Sequence, residues 1–423
     1  MSNSPLRTVT PTGTEILIEP LPHVRSCAVG FWVRRGSRHE GPEEEGLAHF
    51  LEHTVFKGTE AYPTPDELAA ATDRLGGHVD AFTGKEVACF YGKVLADQLP
   101  ELVHLLGELV TAPRFDGDEL TRERGVILEE IAQSEDQADD WVSELFYGGF
   151  WEGTPLAHPI LGLRDQVSSY GPREARAFFD HTYRAPNLVI AAAGDIKTGP
   201  FLKLLEPILE RLPKGTEHAP SHPARTRPFL LNLPRKDLQQ ANLVMGFPGL
   251  DHRSPDRAAA ALLSHVLGGG MASRLFMELR ERRGLCYQVG SYLTPYADTG
   301  ALQISASCAP AQLRELVQRT MVECARIREH GVAADELERA KLQARTGLVF
   351  SQESSSSRMF SLAHQAIHYG ELRSLDQQMA EIEAVTSGDV LRVAQALLDP
   401  AQLGLSALGT RRGSDIRPQD LVA

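Results

Sequence analysis

The 423-residue chain is predicted to be an α+β protein of two homologous domains, each a mostly antiparallel sheet with helices packed on one face. Three observations predict this. Short β-rich runs alternate with long amphipathic helical stretches, and runs such as EVACFYGKVL (86–95) follow their neighbours too closely for obligatory βαβ crossovers. The same order of events occurs twice: strands, a helix pair, two alternating strands, several long helices, and a last strand at NLVIAAAG or QLGLSALG. Between the two rounds lies PKGTEHAPSHPARTRP, rich in Pro and charge and poor in large apolar residues, as a linker should be. The expected division is therefore 1–212, a linker at 213–228, and 229–423.

The repeat can be aligned by hand. DELTRERGVILEEIAQSED at Asp118 matches DELERAKLQARTGLVFSQE at Asp335, an offset of 217 (335 − 118). Asn187 pairs with Gln402 at 215 (402 − 187), and Gly30 with Gly246 at 216 (246 − 30). One slowly drifting offset is what duplication followed by small loop changes produces.

Bulk properties exclude several classes. With 42% hydrophobic and 23% charged residues the composition is that of an ordinary globular protein, too long for one compact domain. A net charge of −13 without a local Lys/Arg block offers nothing to a phosphate backbone, so no nucleic-acid partner is expected. Five widely spaced cysteines without a Cys-x-x-Cys pair do not form a disulfide framework. The first twenty residues lack an apolar signal core and no run reaches membrane-spanning length, so a cytoplasmic location and no membrane partner are expected.

The chemistry concentrates at GLAHFLEHTVF (46–56). Read as a helix, Leu47, Phe50, Leu51 and Thr54 form one stripe, and His49, Glu52, His53 and Phe56 form another. Histidines at i and i+4 put two imidazoles a turn apart on one face, able to bind one metal ion, with Glu52 beside them as a base. This is His-x-x-Glu-His, the inverted zincin pattern. A third ligand must come from elsewhere. On the helix starting at Asp118, Leu120, Ile127 and Ile131 form the apolar line, Glu123 and Glu130 lie within roughly 60° of it, and Glu129 points to solvent. Carboxylates flanking a buried stripe need a compensating charge, which a metal would supply.

His49-x-x-Glu52-His53 followed by Glu130 after 76 residues (130 − 53 − 1) resembles the pitrilysin/insulinase family of zinc peptidases. RRGSRHE, GLAHFLEHTVFKGT, GGHVDAFTGKE, ERGVILEEI, LGGGMASRLFMELRERRGLCY and NLVIAAAGD resemble its short bacterial members, which are similar to mitochondrial processing peptidase. The resemblance implies one zinc per chain held by His49, His53 and Glu130, Glu52 as general base, and Glu123 as a carboxylate supporting the ligands. It also places Arg280 and Tyr287, seven residues apart, as groups reaching the zinc from the other domain, Tyr287 toward the tetrahedral intermediate and Arg280 toward the substrate backbone. The segment Asp80-Ala81-Phe82-Thr83 is expected to be part of an edge strand that pairs with an extended substrate. Relatives often carry Asn where Asp80 stands, and a carboxylate cannot donate to a scissile carbonyl unless protonated.

By the repeat, His49, Glu52 and His53 correspond to Ala261, Ser264 and His265, and Glu123 and Glu130 to Ala340 and Gly347, so the second half has lost the metal site. LRERRGLCYQVGS is read as a helix end, a Gly284 cap and a strand with Leu285, Tyr287 and Val289 on one side. Gly268-Gly269-Gly270 lacks phosphate-loop spacing and is read as a flexible joint. The resemblance implies a zinc endopeptidase or oligopeptidase closing two domains as a clamshell over unfolded peptides. It also implies a homodimer, with a heterodimer of paralogues as the other arrangement. The competing reading is a non-catalytic, partner-dependent subunit of a processing-peptidase-like assembly.

Overall fold

A computed structural model describes residues 5–215 and 223–421, so part of the expected linker lies outside the described residues. The chain forms two compact units. The first unit runs to Ala132, resumes over 158–221 and takes in Phe350–Leu372, while the second holds Gln133–Ala157, residues 222–349, and Arg373 onward.

The first unit is built on six strands: β1 (Leu6–Val9), β2 (Glu15–Pro20), β3 (Ser26–Val33), β4 (His78–Thr83), β5 (Ala88–Leu95) and β6 (Leu188–Gly194). Their order is β1-β2-β6-β3-β5-β4, and β2–β6 is the one parallel pair. Strand periodicity sorts the side chains: Cys27, Val29, Phe31 and Val33 face the main core, while Ala28 and Trp32 face the other side. The main core is completed by α1 (Leu47–Thr54), α2 (Pro65–Arg74), α3 (Leu99–Thr111), α4 (Gly117–Asp136) and the helices Pro172–Thr182 and Thr198–Arg211.

Helices on one face of the sheet, as expected, account for most of the unit. The opposite face carries one more, Ser355–His364, whose Met359, Leu362 and Ala363 pack on Leu17, Trp32 and Ala191. Trp32 and Phe360 meet edge to face at 5.7 Å.

The second unit repeats the plan. β7 (Phe229–Leu233), β8 (Ala241–Pro248), β9 (Cys286–Pro295), β10 (Gly300–Cys308) and β11 (Gly404–Leu408) lie in the order β7-β11-β8-β10-β9, with β7–β11 parallel. This is the first sheet without its β1. The second face is covered by α5 (Ala138–Phe150), whose Val142, Phe146 and Phe150 bury against Val244, Ala301 and Leu408. Phe146 and Phe150 stack at 4.8 Å.

Two local readings are corrected. Gly268 is no joint: it ends the helix Arg257–Gly268, and a Cβ there would sit 2.5 Å from the Ser291 backbone nitrogen, so glycine permits close packing of helix on strand. Leu285, Tyr287 and Val289 do not share a side, for Leu285 and Val289 are buried while Tyr287 is 75% exposed. The cause is a β-bulge. Cys286 faces Cys308 but Gln288 faces Ser307, so Tyr287 is the extra residue and the alternation breaks there. Among the described residues no helix is long and apolar enough to cross a membrane. The five cysteines are free and buried.

Candidate metal centre

The site begins with a glycine. Gly46 has φ +93°, a left-handed conformation, and a Cβ there would meet Gly162 Cα at 2.7 Å, so only glycine starts α1 in this place. Glu40 receives the first free N–H groups of the helix, Gly46 N on Oε2 at 2.9 Å and Ala48 N on Oε1 at 2.7 Å. From that anchor Leu47, Phe50, Leu51 and Thr54 go into the core, and His49, Glu52 and His53 line the other side. His49 is itself buried, at 6% exposure.

The helix α4 brings the remaining carboxylates. Leu120, Ile127 and Ile131 are buried, Glu123 is buried beside them, Glu130 is half-exposed, and Glu129 is exposed, as the wheel predicts. Glu130 Oε2 lies 3.8 Å from His49 Nε2 and 3.5 Å from His53 Nε2. The two imidazole centroids are 4.6 Å apart, and one donor atom from each of His49, His53 and Glu130 falls within 4.8 Å of the others. Glu123 Oε1 is 2.9 Å from His53 Nδ1. Its Oε2 is 2.7 Å from Lys57 Nζ.

The donor chemistry fits a divalent zinc ion. Burial, with the neighbouring His53, lowers His49 to about 3, so its ring is neutral and its nitrogens are lone-pair donors near pH 7. His49 Nδ1 is buried without a hydrogen-bond partner, and so is Glu52 Oε2, which leaves an unused acceptor beside the histidines. Burial pulls His53 down, but the Glu123 hydrogen bond and surrounding carboxylates win and raise it. That rise records negative charge gathered at this point, which a cation would answer. Two imidazoles and a carboxylate are a common donor set for catalytic zinc, leaving a position open.

Glu52 is raised by burial, against a hydrogen bond with Thr83 and the charge of His53. Thr83 closes β4, the outer strand of the first sheet, so the expected Asp80-Ala81-Phe82-Thr83 segment does lie on an unpaired edge. Asp80 is exposed and already engaged: its Oδ2 accepts from Tyr91 Oη at 3.3 Å and lies 3.5 Å from His78 Nε2. In the second unit, Arg280 and Tyr287 are neighbours. The guanidinium sits 4.8 Å from the Tyr287 ring centre and 4.7 Å from that of Phe276, and the bulge of β9 turns Tyr287 outward.

Where the repeat puts a second metal site, the second unit has a cavity of about 410 Å³ lined by His265, Met271, Ala340 and Leu342 among others. Ala261, Ser264, Ala340 and Gly347 supply no ligand set. Sequence reasoning missed Glu40 and Lys57. Lys57 had a signal, since 49, 53 and 57 are spaced i, i+4, i+8; Glu40 had none, because its partners are backbone amides.

A duplicated α+β frame carries His-x-x-Glu-His on one helix and a glutamate on a second, the arrangement of the inverted zincin pattern. The description "Insulinase (Peptidase family M16)" matches residues 15–164, and "Peptidase M16 inactive domain" matches 172–344. The chain is 35% identical to an uncharacterized zinc protease of Streptomyces coelicolor, over 99% of this chain and 92% of that one. It is also 35% identical to the uncharacterized zinc protease YmxG of Bacillus subtilis, over 91% and 93%. Among solved structures, a protease from Helicobacter pylori superposes with a TM-score of 0.87 at 21% identity, covering 96% of this chain and 99% of that one. A peptidase M16 inactive domain from Pseudomonas fluorescens gives 0.90 at 22%, covering 97% and 99%. The chain belongs to peptidase family M16, the insulinase family, as its motifs led one to expect.

Proposed function

We propose that this protein is a zinc-dependent endopeptidase or oligopeptidase that hydrolyses unfolded or extended peptides. The observation that carries the reading is the convergence of His49, His53 and Glu130 beside Glu52, whose Oε2 has no hydrogen-bond partner.

Zinc held by His49, His53 and Glu130 would act as a Lewis acid, making a water molecule acidic and polarising a peptide carbonyl. Glu52 takes a proton from the attacking water on Oε2 and delivers it to the leaving amine. Its raised affinity for protons suits a base that must also act as an acid. Thr83 steadies the Glu52 carboxylate, and Glu123 orients His53. The free edge of β4 supplies backbone donors and acceptors to an extended chain, giving affinity with little side-chain preference. Tyr287 and Arg280 are assigned to the oxyanion and the substrate backbone, in keeping with their exposure and mutual contact. Asp80 shapes the edge strand; bonded as an acceptor, it is not assigned to the scissile carbonyl.

One chain carries both the metal-bearing unit and the Arg280/Tyr287 unit, which supports a homodimer over an obligate pair of different chains. A non-catalytic subunit would not need the full donor set with a free base beside it.

The test is cleavage of unstructured peptides of graded length. Wild type should hold about one zinc per chain, lose cleavage to a chelator and regain it with zinc. Glu52→Gln should keep the metal and lose about 10²–10⁴ in kcat/KM, the usual worth of a general base. Wild type that neither binds zinc nor cleaves any peptide would overturn the proposal.

A further inference from the structure

One cation beside the metal centre has no role in the reading above. Lys57 follows α1 in the turn Val55–Lys57, and among the described residues its ion pair is with Glu123 alone. The next residue, Gly58, has φ +133°, and a Cβ there would meet Pro63 O at 2.7 Å, so the turn that presents Lys57 depends on glycine.

Glu123 has two oxygens, and both are taken. Oε2 is bound to Lys57 Nζ at 2.7 Å and Oε1 to His53 Nδ1 at 2.9 Å. Glu123 is buried and Lys57 half-buried, so the contact is shielded from solvent screening. A carboxylate held at one oxygen by a cation cannot turn that oxygen away, and the other is thereby aimed. What it is aimed at matters. An imidazole that donates Nδ1–H to a carboxylate keeps its lone pair on Nε2, the atom of His53 that faces Glu130. The other tautomer would put a hydrogen on Nε2 and remove a ligand.

We propose that Lys57 is a positioning residue for the metal centre: by pinning Glu123 Oε2 it fixes Glu123 Oε1 on His53 Nδ1 and so holds His53 in the tautomer that offers Nε2 to zinc. In its metal part this rests on the zinc reading above; the tautomer part stands without it. Lys57 acts through Glu123, its ion-pair partner.

Two measurements test it, on full-length Lys57→Met, Lys57→Arg, Glu123→Gln and the double variant Lys57→Met/Glu123→Gln, each checked for native circular dichroism. The first is zinc affinity by competition with a chelating dye. Lys57→Met should bind about 10-fold more weakly, the scale on which outer partners of ligating histidines act, and Lys57→Arg should recover most of the loss. In the Glu123→Gln background Lys57→Met should cost nothing further. The second is the imidazole nitrogen spectrum of the zinc-free protein, with the His53 signal assigned by its disappearance in His53→Gln. Recorded at a pH alkaline enough to keep His53 neutral, wild type should show the Nδ1–H form and Lys57→Met a mixture of tautomers. If Lys57→Met does not fold, Lys57→Gln replaces it in both measurements.

Wild-type affinity together with an unchanged tautomer in the folded Lys57 variant would overturn the inference, as would an undiminished further loss in the Glu123→Gln background. A wild type that takes up no zinc would sink the zinc reading, and the spectrum of the zinc-free protein would still decide the part played by Lys57.

Discussion

His49 and Glu40 show burial acting on two single groups with opposite results. Burial makes the charged form of either costly, so His49 falls to about 3 and Glu40 is pushed up to about 8, against its hydrogen bonds from Ala48 and Gly46. For Glu40 this makes a pH prediction. The folded state holds a proton that the unfolded state releases near 4.5, so the stability this group contributes is complete below about pH 4.5 and is lost as the pH rises through about 8. Glu40→Gln cannot ionise, but it keeps only one of the two acceptors that Gly46 N and Ala48 N use. In urea unfolding it should be less stable than wild type at the acid end of that window, with the gap narrowing toward the alkaline end; a difference that does not change with pH would contradict this. His49, Glu52 and His53 could be found from sequence because their spacing is itself the signal, whereas the wheel of α4 left Glu123 and Glu130 both open and the family resemblance chose between them. Glu40 could not, for a helix N-terminus recruits a carboxylate only after the loop before it has folded.

At the scale of elements, helical spacing proved informative and strand spacing less so. The wheel of α4 separated Glu123 and Glu130 from Glu129 because 100° per residue is a rigid rule and the helix is unbroken. Alternation along β9 failed at Tyr287, since one inserted residue shifts the phase and nothing in CYQVGS announces it. The edge position of β4 yields a prediction about substrates rather than mutants. If β4 binds peptide through its backbone, replacing one substrate amide by its N-methyl form at a paired position should lower kcat/KM about 5-fold, near 1 kcal/mol per hydrogen bond. Alternate amides should respond and those between should not. A uniform or absent response along the peptide would argue against strand pairing.

For the whole molecule, the duplication was legible because strand starts keep their offset: Ser26 and Ala241 begin β3 and β8, and Leu188 and Gly404 begin β6 and β11. The composition of each compact unit was not. The helix α5 precedes the linker yet packs in the second unit, and Ser355–His364 follows it yet packs in the first. An amphipathic stripe states that a helix is buried on one side but not which sheet receives it. Duplication followed by loss also predicts a metal count. His265, the remaining histidine of the corresponding pair, is half-buried in an apolar cavity. His265→Ala should leave zinc at one ion per chain by elemental analysis, whereas His53→Ala should remove it; a loss of zinc in His265→Ala would mean that the second unit binds metal after all.

The proposed function requires one zinc ion among His49, His53 and Glu130 with Glu52 free beside it. Anomalous X-ray scattering at the zinc edge from crystals of Glu52→Gln tests this most directly, since that variant should keep the ion without consuming a peptide. One anomalous peak per chain is expected, bonded to an imidazole nitrogen of each histidine and to the Glu130 carboxylate at about 2.0–2.2 Å. No peak in zinc-supplemented crystals, or a peak held by other residues, would contradict it.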